Sequence, residues 1–297
     1  MPDICALSDL FVALAAQVIC IHVVDNTPHV DDRVVSLLRE MPGLNVQLMR
    51  LGKNFGIAHA LNIGIEAALS MGATHVLLSD QDSLPAPEMV EGLLAALTEL
   101  RRLGYNVAGV GPTYTDIYTQ KKFPFKAIIP GKIFPGEISA TTQRPLIDAL
   151  SLITSGTLIP VVVFNVVGLM REDFFIDRVD TEWCLRARSR GYKVFGTMYA
   201  TMYQRMGERS LKVWYGYWRQ VNSYRPVRVY YQIRNSIYMW RLDYVPLRWK
   251  VRIAWYAMGV VYSEAIFGSQ KTRALIMAWR GFFDGLKGKM GPFRGEA

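Results

Sequence analysis

Residues 76–83 read Val76-Leu77-Leu78-Ser79-Asp80-Gln81-Asp82-Ser83, an apolar run that stops at two carboxylates one residue apart. A short run of large aliphatic residues suits a strand buried on both faces. Such a strand presents the residues after it at its carboxyl end, where open α/β sheets bind ligands. Two carboxylates there can converge on a divalent cation, which neutralises phosphate oxygens. The plain alternative is a solvated acidic turn.

Strand and helix signals alternate on both sides of that stretch. Residues 19–24 are β-branched and stop at Asp25-Asn26, while residues 31–41 have helical spacing through Val34, Val35, Leu37 and Leu38. Residues 45–51 alternate like a strand, and residues 57–71 are apolar at Ile57, Leu61, Ile65 and Leu69 before Gly72 closes them. Beyond the acidic pair, residues 85–103 predict a helix and residues 107–110 the next strand. This order predicts an α/β fold with a mostly parallel sheet covered by helices, and it sets Asp25, Asn26, Asp80 and Asp82 at strand ends.

Residues 113–147 hold four prolines and no clear period, which predicts a long loop. The uncharged residues 149–170 match a bilayer span in length. Ser151, Thr154, Ser155, Gly156, Pro160 and Asn165 interrupt them, so they read as a buried strand, a turn and a short helix. A helix follows Asp180 and stops at Gly191. From about residue 204 the pattern is helical, aromatic and basic to the end.

The chain has 297 residues, 51% of them hydrophobic, which is enough for one large core and excludes a disordered chain. Cys5, Cys20 and Cys184 are too scattered for a disulfide framework or a zinc site, and they read as structural thiols of a reducing compartment. The start lacks the basic-then-apolar pattern of a secretion signal. Charge divides the chain. Residues 205–297 carry 17 Lys/Arg against 5 Asp/Glu, and residues 1–204 carry 17 against 20. A basic tail of that kind suits nucleic acid or an anionic membrane.

Two further clusters can carry chemistry. Phe174-Phe175-Ile176-Asp177-Arg178-Val179-Asp180-Thr181-Glu182 sets three acids behind an aromatic pair at a helix start. A carboxylate fixed there can take a proton from a hydroxyl, or Asp180 can simply cap the helix. Asn54-Phe55-Gly56 and the following Asn62 put neutral donors and a glycine near another helix start, where phosphate is favoured, although the full glycine spacing of a dinucleotide fold is absent. His22, His29, His59 and His75 lack metal-ligand spacing.

In this order the elements resemble the family-2 glycosyltransferases, and most closely their bacterial rhamnosyltransferase branch. The resemblance covers roughly residues 10–240. It rests on Val24-Asp25-Asn26, residues 54–64, Ser79-Asp80-Gln81-Asp82-Ser83, Gly111-Pro112, Ser155-Gly156, Asp180-Thr181-Glu182-Trp183-Cys184-Leu185-Arg186, and Arg228 to Asn235. It implies the GT-A nucleotide-diphospho-sugar transferase fold, with a catalytic domain over 1–204 and a helical, membrane-associating extension over 205–297. It implies that Asp25, Asn26, Asn54, Gly56, Asn62 and Asp80 hold a nucleotide sugar. Asp82, with Asp80, would bind Mg²⁺ or Mn²⁺, and Asp180 would be the catalytic base of an inverting transfer. Gly156, Asp177, Glu182, Trp183 and Arg186 would meet the acceptor or support the site, Asp177 and Glu182 by orienting the base or the acceptor. The donor usual in that branch is dTDP-L-rhamnose, passed to a glycan or lipid-linked saccharide in cell-surface polysaccharide synthesis.

The sequence departs from the family at two places. Members usually begin with an apolar strand ending in Thr-Tyr-Asn, whereas this sequence opens Met1-Pro2-Asp3, which implies a misplaced start or a sheet short of one strand. Where members often carry a metal-completing His-x-x-Gly, this chain has Gln204-Arg205-Met206-Gly207. An amide is a poorer ligand than an imidazole for Mn-like ions. A catalytically silent sugar-nucleotide-binding protein is therefore the rival reading. The ordered acidic motifs speak against nucleic acid as partner. The tail's interleaved rings and cations favour an anionic membrane surface, with the protein peripheral on the cytoplasmic, inner face of the plasma membrane.

Overall fold

The fold comes from a computed structural model that describes residues 3–29, 32–132, 134–204 and 210–295. Helix α1 (Ile4–Ala15) starts at Asp3, whose carboxylate accepts the Ala6 N–H at 3.2 Å. Its buried face of Leu7, Leu10, Phe11 and Leu14 follows the helical period and meets Val34 and Leu37 of α2 (Asp32–Glu40). Strands β1 (Ile21–Asp25) and β2 (Val46–Arg50) pair in parallel, Ile21 opposite Val46 and Asp25 opposite Arg50. Helix α3 (Ile57–Ser70) packs behind them.

The remaining body is one mixed sheet. Strand β3 (His75–Leu77) leads into the acidic turn, β4 (Ser83–Pro85) comes after it, and α4 (Met89–Arg102) is next. β5 (Val107–Asp116) is buried along all ten residues and lies at the sheet's centre, parallel to β10 (Lys193–Gln204). Between them in sequence come β6 (Phe125–Ala127), β7 (Gly136–Ile138), β8 (Leu146–Ser151), β9 (Leu158–Pro160), α5 (Val162–Val167) and α6 (Val179–Ser189). The order is β3-β9-β5-β10-β8-β6-β7, with β4 on β10. β1–β2 and β5–β10 are the parallel pairs, and the other pairings are antiparallel. The stretch expected as a loop over 113–147 thus supplies the end of β5 and the sheet edge β6–β7. Residues 149–170 form strand, turn and short helix as read, and no described helix is long and apolar enough to cross a membrane.

β1–β2 is a separate sheet. Among the described residues no strand joins β1 on its side away from β2, nor β3 on its side away from β9. The interval is bridged by side chains, with Leu77 packed on the α1–α2 cluster. Met1 and Pro2 lie outside the described residues.

The tail is more than helix. It opens with the hairpin β11 (Ser210–Trp214) and β12 (Trp218–Asn222), then gives α7 (Pro226–Met239), α8 (Leu247–Ile266) and α9 (Lys271–Lys287). The change of composition at residue 204 is not a change of packing. Met239, Val245, Trp249 and Ile253 share one core with Ile147, Phe174 and Trp183. Residues 205–209 lie outside the described residues, including the Arg205-Met206-Gly207 that follows Gln204. Of the cysteines, Cys184 is buried, and burial pushes its thiol up to about 12, whereas Cys5 is exposed.

Candidate active site

The turn after β3 is fixed from behind. The Asp80 N–H donates to Ser155 Oγ at 3.1 Å, and the Gly156 N–H donates to the Leu78 carbonyl at 2.7 Å. Gly156 has φ of +77°, and a Cβ there would sit 2.7 Å from Pro112 Cγ, so the close approach needs glycine. It therefore supports Asp80 from the sheet interior. Asp82 is exposed, and Ser83 is buried beneath it. The Gln204 amide donates to Ser83 Oγ at 3.3 Å, which sets Gln204 beside the acidic turn. Asp9 of α1 lines a small recess there with Asp82, Ile117 and Tyr203.

Asp80 feels two other carboxylates. The Asp80 carboxyl is pushed up to about 6, first by burial, then by the charges of Asp82 and Asp180, with Arg228 pulling the other way. Asp180, a hundred residues from Asp80 in sequence, thus shares its electrostatic surroundings. Asp180 stands in the first turn of α6, whose N-cap is Arg178 in the left-handed conformation with no side-chain cap bond. It is therefore not the cap. Its Oδ1 accepts the Thr181 N–H at 2.6 Å and the Thr181 hydroxyl at 3.2 Å. Burial raises its pKa, while Thr181, Arg178 and Lys126 restrain the rise.

The loop before α6 is strained and braced. Phe175, Asp177 and Arg178 have φ of +66°, +61° and +66°. Non-glycine residues in such conformations cost of order 1–3 kcal/mol each and persist only where the surroundings hold them. Here α7 holds them. The Asn235 amide donates to the carbonyls of Phe174, Ile176 and Asp177 at 3.0, 2.7 and 2.8 Å, and Arg234 Nη2 donates to Phe174 O at 2.8 Å. Both side chains are fully buried. Asp177 pairs with Arg228 at 3.2 Å, which joins the loop to the start of α7.

The other side of the site is the Asn26–Asn54 knot. The Asn26 amide donates to Asn54 Oδ1 and Gly56 O, and its Oδ1 accepts the Phe55 N–H at 2.8 Å. Asn54 Oδ1 accepts the Gly56 N–H at 2.9 Å. Gly56 has φ of +91°, and a Cβ there would lie 2.6 Å from Phe175 O. That carbonyl also accepts the Ile57 N–H at 2.7 Å, so the start of α3 abuts the braced loop. Asp25 ends β1 and accepts from the Thr27 N–H and hydroxyl.

Four of the expected residues stand behind the site, Asn62 in place of a nucleotide contact and the other three in the supporting one of their two expected roles. Asn62 is buried, with both amide N–H bonds spent on Met170 O and Glu172 and its oxygen accepting the Met170 N–H, so it ties down a loop. Glu182 is fully buried, paired with Arg186 at 2.7 Å and bonded by the Tyr244 hydroxyl. Trp183 donates to Gly168 O at 2.9 Å, and Arg186 donates to the Val167 and Leu169 carbonyls. These three fill the inner face of α6 and anchor residues 167–169. They support the helix and cannot meet an acceptor. The helical period separates Glu182 and Arg186 from Asp180, while Trp183, one turn on, is held inward by its bond to Gly168 O.

Residues to which the sequence reading gave no place in the site stand around Asp180 and Arg178. Lys126 of β6 is close enough to Asp180 to stabilise its charge. The Arg178 guanidinium lies 4.7 Å from the Tyr256 ring centroid, and its Nη2 is buried without a partner among the described residues. The Tyr224 and Tyr256 hydroxyls are 3.0 Å apart. Lys126 was hidden in an aperiodic segment and Tyr256 in the tail, so no local signal marked either.

For a metal, the donors are hard oxygens. Among the described residues no group of three or more His, Cys, Asp and Glu gathers to hold an ion. Asp80 and Asp82 nevertheless fit Mg²⁺-type binding, which uses one or two carboxylates and lets phosphate and water complete the shell. The like-charge crowding at Asp80 is what a cation there would relieve.

Residues 6–152 match the family model described as glycosyl transferase family 2. Along its whole length the chain is 30% identical to the dTDP-rhamnosyl transferase RfbF of Shigella flexneri, covering 96% of that protein. In fold it is similar to S. aureus TarS, with a TM-score of 0.57 at 12% identity over 95% of this chain; it spans 46% of that longer chain. A shorter TarS crystal structure, in complex with UDP-GlcNAc, gives a TM-score of 0.55 at 13% identity, over 95% of this chain and 77% of that one. At such identities the likeness concerns fold alone.

Proposed function

The chain belongs to glycosyl transferase family 2, and from that premise we propose that it is an inverting rhamnosyltransferase. It would move L-rhamnose from dTDP-L-rhamnose to a glycan or lipid-linked saccharide in cell-surface polysaccharide synthesis, at the inner face of the plasma membrane. The donor rests on the full-length likeness to a dTDP-rhamnosyl transferase. The observation that carries the chemistry is that Asp180, fixed by Thr181 at the start of α6, lies within the field of Asp80 and Asp82 on the turn after β3.

Asp180 takes the proton of the acceptor hydroxyl as that oxygen attacks the anomeric carbon. Thr181 holds Oδ1, so Oδ2 is the oxygen left to receive the proton. Burial makes the carboxylate a stronger base than a solvated one, as general-base catalysis requires. Asp25 and the Asn26–Asn54 knot bind the nucleotide end, with Gly56 allowing close backbone approach. Arg228, held by Asp177 and felt at Asp80, opposes the negative charge of the diphosphate. Asp82 and Asp80 would hold Mg²⁺ or Mn²⁺, which when bound stabilises the departing diphosphate electrostatically.

The test is incubation with dTDP-L-rhamnose and Mg²⁺ or Mn²⁺, with and without a lipid-linked saccharide, followed by NMR of the product linkage. Transfer with inverted anomeric configuration is the expected result. Retention of configuration, or a preference for a UDP-sugar, would overturn the reading. Donor binding without turnover would favour the silent protein, for which Gln204 beside Ser83 speaks.

A further inference from the structure

Helix α9 turns two opposite faces outward and inward. Inward, Ala274, Met277, Ala278, Gly281 and Gly285 lie against α7 and α8, and a Cβ on Gly281 would come within 2.5 Å of Tyr230 O. Outward, Leu275, Ile276, Trp279, Phe282, Phe283 and Leu286 are exposed, Trp279 by 62%. At about 100° per residue these six fall in an arc of roughly 120°. A continuous stripe of large apolar side chains is unusual on a soluble surface and marks a contact.

Charge decides with what. On the same wheel Arg273, Arg280 and Lys287 line one border of the stripe, and all three are exposed. The helix's single acid, Asp284, accepts the Tyr230 hydroxyl at 3.0 Å. A second copy docking by the same face would bring like charges together. An anionic bilayer takes the rings at its headgroup boundary and the cations at its surface.

We infer that α9 is an in-plane anchor, with its Trp279–Phe283 stripe sunk into an anionic bilayer and its basic border against the lipid headgroups. The helix is about 25 Å long and lies along the membrane. Each basic residue near such a surface adds about fivefold to partitioning. This names the face by which the proposed enzyme meets its membrane. The measurement uses neither donor nor acceptor, so it fails or stands apart from the assigned reaction.

The experiment is flotation of the full chain with phosphatidylcholine vesicles and with vesicles holding 30 mol% phosphatidylglycerol, a composition of about that order giving a strongly negative surface. The expected result is binding to the anionic vesicles and release at high salt. The pair Trp279→Ser and Phe283→Ser should weaken binding at least about tenfold, and the pair Arg280→Gln and Lys287→Gln roughly 20-fold, with unchanged thermal midpoints. Should the serine pair not fold, brominated anionic lipid should quench wild-type tryptophan fluorescence and quench Trp279→Phe less. Several results would overturn the anchor: no binding, equal binding to both vesicles, unweakened variants, or equal quenching. So would a dimer that the serine pair converts to monomer.

Discussion

The turn at residues 79–82 and the loop at residues 174–178 bring their carboxylates into one field by different means. A buried strand delivers the turn, the Ser155 hydroxyl holds it from the turn between β8 and β9, and Gln204 of β10 bonds Ser83 just after it. The turn's outer acid, Asp82, is left open to solvent. The loop has no regular structure of its own. Three residues with positive φ are held against it by Arg234 and Asn235, some sixty positions later in the chain. The first arrangement leaves room for an ion and a phosphate to complete it. The second is complete before any ligand arrives, as the placement of a proton acceptor demands.

If that contrast is right, the largest effect belongs to the base. Asp180→Asn keeps the Thr181 bonds through its amide oxygen but cannot accept a proton, so turnover should fall about 10²–10⁴-fold with donor affinity unchanged. Transfer kinetics beside donor calorimetry will show it, and near-normal turnover would move the base elsewhere.

Next comes the brace. Asn235→Ala takes the side-chain donor from the Ile176 and Asp177 carbonyls, while Phe174 O keeps Arg234. A loss of about 3 kcal/mol in denaturant unfolding is expected, since an unsatisfied buried polar group costs about 1–3 kcal/mol. Turnover should fall more than donor affinity. A neutral substitution would mean that the loop holds itself.

Gly56→Ala tests where the Asn26–Asn54 knot meets the loop. The added methyl meets Phe175 O and the backbone is in the left-handed region, so a cost of roughly 2 kcal/mol and weaker donor binding are expected. Gln204→His tests the open turn. An imidazole there should tighten Mn²⁺ binding about tenfold, read by titration of the metal. Smallest is Ser155→Ala, which removes one acceptor from the Asp80 N–H and should cost about 1 kcal/mol by thermal melting.

The two regions also differ in how far the chain announces them. Val76 to Ser83 can be read because a strand and the turn after it are local: the apolar run and the acids adjoin. The same holds for β1, β2 and α3, whose periods lie within the segments themselves. Residues 113–147 were opaque because β6 and β7 are three-residue strands stabilised by β8 and each other, too short to show a period. The hairpin β11–β12 was lost among aromatics whose spacing also suited helix. Asn62, Glu182, Trp183 and Arg186 adjoin site residues in sequence, which does not say whether they meet a ligand or support the site from behind. Each faces the interior because a helix turns neighbouring side chains in different directions.

By itself the sequence determined the strand-end acids, the α/β class, the family and the basic aromatic character of the tail, since all of these are written in composition and short-range order. Tertiary structure alone decided that Asp80 and Asp180 share one field, that Lys126 lies near Asp180 and Tyr256 against Arg178, and that Arg234 and Asn235 of the tail brace the loop. It also decided which side of α9 is left outward. Such pairings join residues separated by tens of positions through buried hydrogen bonds and packing, and a chain records them only once it has closed on itself.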